Sequence, residues 1–151
     1  MDIEVLKSIL EQSPAEETRR RPLLHLIKFA MRCNRERSLQ EGILELLIQR
    51  DTECPKIPDE RGGFLLHTAC ECAAPIEVSK YVLKLYPDAV RVPSEDGQLP
   101  IHYACARRTA CTEVVALLLK EFPDAVRCAS RNKMLPLHVA LHKGVVVEIV
   151  F

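Results

Sequence analysis

The chain has 151 residues, 48% of them hydrophobic and 28% charged, a balance that excludes a disordered polar polymer. Its 21 Lys and Arg are matched by 21 Asp and Glu, so no whole-molecule field draws it to nucleic acid or to an anionic membrane. Seven cysteines form no paired framework, the acidic start Met1-Asp2-Ile3-Glu4 is no signal peptide, and no apolar run is long enough to span a bilayer. The expectation is an intracellular, cytoplasmic protein, with the nucleus left open, whose thiols are reduced and act mainly as small buried hydrophobes.

Residues 2–12 fit a helix capped by Asp2, with Ile3, Leu6 and Leu10 at helical spacing. Ser13-Pro14 ends it, and Arg19-Arg20-Arg21 follows. From Pro22 onward the chain repeats itself. Pro22-Leu23-Leu24-His25-Leu26-Ile27 is answered by Phe64-Leu65-Leu66-His67-Thr68-Ala69-Cys70. Leu99-Pro100-Ile101-His102-Tyr103-Ala104-Cys105 and Leu135-Pro136-Leu137-His138-Val139-Ala140-Leu141 follow, the last three histidines 35 and 36 residues apart. A fixed period of this length denotes a stacked array of small units, not one closed core.

Each motif opens a short first helix, and a second helix follows it. The second helices begin at Gly42-Ile43-Leu44, Glu77-Val78-Ser79, Glu113-Val114-Val115 and Glu148-Ile149-Val150. Pro75 and Thr112 are start signals for two of them. Adjacent apolar positions imply burial on more than one side, so Leu83 and Leu118 are expected to be nearly inaccessible. The first unit carries an insertion around Arg32, Arg35 and Arg37.

Proline ends the second helices in Tyr86-Pro87-Asp88-Ala89-Val90-Arg91 and Phe122-Pro123-Asp124-Ala125-Val126-Arg127. The connections then reach tips at Asp59-Glu60-Arg61-Gly62, Ser94-Glu95-Asp96-Gly97 and Ser130-Arg131-Asn132-Lys133. Glycine supplies the positive φ of a tight turn in the first two. In the third, Asn132 is expected to take the left-handed position, or the turn to be looser.

These motifs resemble the ankyrin repeat, whose signature is Thr-Pro-Leu-His, then Leu-Ala-Ala, then a Val-Val-x-Leu-Leu second helix. The resemblance covers roughly residues 22–151. It implies an all-α fold: an ankyrin-like helical solenoid of stacked helix pairs with an N-terminal capping helix. That fold would be one domain, with cap and connector at 1–21 and repeats at about 22–57, 58–92, 93–128 and 129–151, the last incomplete. The Tyr/Phe-Pro-Asp-Ala-Val-Arg connections are similar to those of ankyrin repeats common in diatoms and related algae. Phe64, Leu99 and Leu135 replace the family's threonine, so each first helix is expected to lose a cap at a cost of ~1 kcal/mol. Pro100 and Pro136 suit the first helical turn. The period exceeds the family's ~33 residues, which counts against a regular hairpin in each connection.

The residues suggest no catalysis. His25, His67, His102 and His138 recur once per unit, whereas a catalytic residue occurs once per site. They read as structural imidazoles bonding backbone of their own connection and the next. His138 and His142 could share a helix face but lack a third zinc ligand. Cys70 and Cys105 stand at alanine positions of the family pattern and are expected in the core, with Cys72 and Cys111 nearer solvent. There is no phosphate-cradling loop and no serine nucleophile motif. No metal or cofactor is expected, and the chain is not read as an enzyme.

The resemblance instead implies binding of another protein through a concave face of tips and first helices. Carried onto this sequence, that face comprises Glu60, Arg61, Glu71, Cys72, Glu95, Asp96, Ala106, Arg107, Arg131, Asn132, His142 and Lys143. One alternative is a regulatory ankyrin segment of a larger enzyme or channel. Another is a binder of acidic or phosphate ligands through the Arg19–Arg37 cluster, although Glu16, Glu17 and Glu36 interleave there. Residues 145–151 read as an apolar second helix cut short. That pattern leads to the expectation of a fragment and offers a route to self-association.

Overall fold

A computed structural model of the protein describes residues 48–49, 52–107 and 112–144. Over these residues the fold is all-α, with α1 at Leu65–Glu71, α2 at Ile76–Leu85, α3 at Pro100–Cys105, α4 at Thr112–Glu121 and α5 at Pro136–His142. Short 3₁₀ turns at Cys54–Lys56, Pro87–Val90 and Pro123–Arg127 lie in the connections. The expected helix at 2–12, His25, the Arg19–Arg37 cluster, Cys111 and the segment 145–151 lie outside the described residues.

The first helices α1, α3 and α5 pack in a row, α1 on α3 and α3 on α5, while α2 packs on α4 behind them. Within a unit, α1 meets α2 and α3 meets α4. One core fills the space between the rows, from Leu65, Leu66 and Ile101 on one side to Val82, Val115 and Leu118 on the other. Leu83 and Leu118 are nearly inaccessible, as their helical phase demands. Burying a side chain of this size stabilises by about 1.5–3 kcal/mol relative to leaving it in water. Cys70 and Cys105 also lie in this core. Ser79 of α2 is fully buried where α4 carries Val115, and its Oγ finds no hydrogen-bond partner.

The helix boundaries follow the local chemistry. Pro100 and Pro136 occupy the first position of α3 and α5, and Pro75 immediately precedes α2. Tyr86 and Phe122 leave the helical region at φ −140° and −144°, as residues before proline do. The Pro-Asp-Ala-Val stretches then coil into 3₁₀ turns that bury Ala89 and Ala125. α1 ends in a Schellman motif, with Ala74 N–H on Ala69 O (2.9 Å) and Ala73 N–H on Cys70 O (3.4 Å). Ala73 holds φ +52° there, a position that usually calls for glycine.

Two expectations need correction here. The longer period, which counted against a regular hairpin in each connection, leaves a hairpin-like closure at every tip. All three tips close the same way, by a bond from the fourth residue's N–H to the first residue's carbonyl and from the first residue's N–H to the fifth's carbonyl. The pairs are Gly62 to Asp59 and Asp59 to Gly63, Gly97 to Ser94 and Ser94 to Gln98, and Lys133 to Ser130 and Ser130 to Met134, all at 2.8–3.0 Å. The residue in the left-handed position of the third tip is Lys133 (φ +57°), not Asn132. The reason is spatial. A Cβ on Gly62 would stand 2.8 Å from Glu95 Cγ, and one on Gly97 would stand 2.9 Å from Arg131 N. Both glycines are pressed against the next tip, while Lys133 is exposed and no further tip follows it among the described residues.

Candidate interaction site

The motif histidines organise the surface on which the tips sit. Phe64, Leu99 and Leu135 offer no capping oxygen, yet the N-terminal turns are not left open. Their own N–H groups donate to Nδ1 of the histidine three residues on: Phe64 to His67 at 3.0 Å, Leu99 to His102 at 3.1 Å and Leu135 to His138 at 3.2 Å. This is the reciprocal half of a capping box, with imidazole in place of a Glu or Gln side chain. The expected loss of a cap therefore holds only for the threonine half.

An Nδ1 that accepts leaves the neutral ring's proton on Nε2. His67 Nε2–H donates to Gln98 O at 3.2 Å, and His102 Nε2–H to Met134 O at 3.1 Å. Those two carbonyls are the same ones that close the next tips. Each imidazole thus ties the start of its own helix to the exit of the following tip. His67 and His102 are 2% and 0% exposed, whereas His138 lies at the surface. Burial, opposed in part by backbone hydrogen bonds to Met134, Leu99 and Cys128, lowers the pKa of His102. Burial also pushes the Cys105 thiol up to about 11, which leaves it protonated and unreactive near neutrality.

The tips are joined through their backbones. Glu95 N–H donates to Arg61 O at 3.0 Å, and Arg131 N–H to Asp96 O at 3.1 Å. Side chains are not consumed by these bonds, and Glu60, Arg61, Glu95, Asp96, Arg131 and Asn132 all project at exposed positions along one edge. Acidic residues hold the middle tip and basic ones the third, where Lys133 joins Arg131. Asp59 Oδ1 braces the first tip by accepting from Arg61 N–H at 2.9 Å and Gly63 N–H at 2.7 Å.

The first-helix residues of the expected face divide. His142 and Lys143 are exposed at the end of α5, but Glu71, Cys72, Ala106 and Arg107 are half-buried. Arg107 Nη1 donates to Glu71 O at 2.8 Å, so a cation of one unit caps the C-terminus of the preceding first helix. That contact was not foreseen, because its acceptor is a main-chain carbonyl that any residue would supply. The same holds for Gln98 and Met134. Asp59 was more legible, since aspartate three residues before glycine is a turn signal.

Among the described residues no group of three or more His, Cys, Asp or Glu is placed to hold a metal ion. No helix there is long and apolar enough to cross a membrane. Residues 96–130 match the ankyrin repeat family. No curated protein matches the sequence. The matched stretch runs from Asp96 of the middle tip through α3 and α4 to Ser130 of the third tip, so an ankyrin repeat is present and the fold is ankyrin-like and all-α.

Proposed function

We infer that this chain, built around the ankyrin repeat at 96–130, is a non-catalytic protein-binding module that engages its partner along the row of tips. Ankyrin repeats are interaction modules, and the observation that carries the reading is the tip row itself. Backbone bonds hold the tips in register without using their side chains, so six exposed polar side chains stand on a pre-ordered edge. Ordering them on binding then costs little backbone entropy. The alternation from Glu95 and Asp96 to Arg131 and Lys133 suits a protein of mixed charge rather than a polyanion. His142 and Lys143, exposed at the end of α5, are counted in the same binding face.

Arg107 is left out of the test because its guanidinium supports the fold. A photo-crosslinker at Glu60 should capture the partner, and one at Lys84 on the outer helix α2 should not. Glu95→Arg with Asp96→Arg and Arg131→Glu should abolish capture while leaving the melting temperature within a few degrees, as exposed substitutions do. Equal capture from Lys84, or normal binding by the triple variant, would overturn the tip-row reading.

A further inference from the structure

The strip from the first residue of a tip to just past its first helix occurs three times in register, at 59–72, 94–107 and 130–143. α1 packs on α3 and α3 on α5, so the three strips lie side by side in chain order. Their charge changes sign along that order. The first strip carries Asp59, Glu60 and Glu71 against Arg61, and the second carries Glu95 and Asp96 against Arg107. The third carries Arg131, Lys133 and Lys143 and no acid. With histidine counted as neutral, the net charges are −2, −1 and +3. Asp59, Glu71 and Arg107 are half-buried and the other charged side chains are exposed. Among the described residues no ion pair joins the acids of the middle tip to the bases of the third. Packed helices stand about 8–10 Å apart, so the third strip lies about 12–15 Å from the midline of the two acidic ones. That distance exceeds the Debye length of about 8 Å at physiological ionic strength, so the two ends act on a partner separately.

We propose that the partner segment is itself bipolar, a stretch of polypeptide whose basic block lies over the first two strips and whose acidic block lies over the third. This rests on the tip-row reading above and gives that reading a partner chemistry and a direction. An extended chain rises about 3.3 Å per residue, so the centres of the two blocks fall about four residues apart. A polyanion would meet like charge over the first two strips and a polycation over the third, contacts that complementarity selects against. A second copy laid antiparallel would set Glu95 and Asp96 of each middle tip against those of the other.

The test is an NMR titration of the full chain, isotopically labelled and at low ionic strength, with the end-capped peptide Lys-Lys-Lys-Ser-Glu-Glu-Glu. A spin label at the acidic end of the peptide should broaden the amides of Arg131 and Lys143, and one at the basic end those of Glu60 and Glu95. The isomer with Lys and Glu alternating has the same composition and should bind about tenfold more weakly, because it places like charges together over every strip. An all-glutamate peptide of the same length should also bind more weakly. Arg131→Glu with Lys143→Glu should lose the block peptide and keep the melting temperature, since both side chains are exposed. Absence of binding, equal binding of the two isomers or of the all-glutamate peptide, or broadening at the wrong ends would overturn the proposal. So would a concentration-dependent dimer that this double variant disperses, which would make a second copy the occupant. Isomers that bind the strips equally would leave the tip-row reading standing. Shifts confined to the outer helices, at Lys80, Lys84 and Lys120, would overturn that reading as well.

Discussion

α3 and α5 begin with the same four-residue plan, Leu-Pro-apolar-His, and make the same local bond from the helix entry to histidine Nδ1. They differ in what lies on their far side. Around α3 the ring of His102 vanishes from solvent and gains the Met134 carbonyl, and Ile101 and Cys105 join the core. Around α5 the equivalent side chains stay exposed. The motif therefore specifies a local turn, and most of its stabilisation resides in the junction with the next unit, as expected for a stack whose stability sums over neighbour interfaces.

The sharpest way to break this comparison is to truncate matched leucines. Leu118→Ala, inside the stack, should cost about 2–5 kcal/mol in urea unfolding, and Leu141→Ala less than about 0.5 kcal/mol. Similar losses would show that burial does not separate the two regions.

The histidines should divide in the same way. His102→Ala leaves Leu99 N–H without its partner and takes from Met134 O one of its two donors, the other being Ser130 N–H, and should cost about 1–3 kcal/mol, several times the effect of His138→Ala. The pH dependence follows in sign. The His102 pKa is lowered on folding by burial, so the unfolded chain takes up its proton first. Stability contributed by this group is complete above about pH 6.5 and declines as the pH falls from there through the lower folded value. His102→Gln, which can accept and donate at the same two places, should flatten that decline in unfolding curves measured from pH 7.5 to 5.

The tips offer a gentler contrast. Gly97→Ala combines a left-handed residue with a Cβ against Arg131 N and should destabilise by about 2 kcal/mol. Lys133→Gly should instead stabilise by about 1 kcal/mol, because it relieves φ +57° at an exposed position. Thermal unfolding would register opposite shifts for the two.

The smallest expected effect is inside α2. Ser79→Ala removes a buried hydroxyl without a partner and should raise stability by up to about 1 kcal/mol. A loss of that size would mean that the hydroxyl is bonded in solution.

Much of this organisation was legible in the residues. The recurrence of the histidine motif marked the stack, proline marked the ends and beginnings of helices, and apolar phase placed Leu83 and Leu118 in the core. The six tip residues of the candidate site also fell at the surface. The rest escaped for physical reasons. Gln98 and Met134 act through carbonyls that carry no side-chain signature. Ala73 and Lys133 hold left-handed conformations because hydrogen bonds on both sides demand them, whatever the residue's own preference. Glu71, Cys72, Ala106 and Arg107 are half-buried at the ends of first helices, where Arg107 reaches the Glu71 carbonyl of the unit before, a contact that no single unit's pattern encodes.

The bonds between tips also give the stack a mechanical character. The helices are held by many small apolar contacts across a broad surface, whereas adjacent tips are joined by a backbone bond, Glu95 to Arg61 or Arg131 to Asp96. Breaking such a bond at the edge costs a net of about 1 kcal/mol, far less than separating packed helices. A strain across the rim would therefore be taken up between tips rather than within them, since each tip is closed by two backbone bonds of its own, and the edge keeps the order of its individual turns.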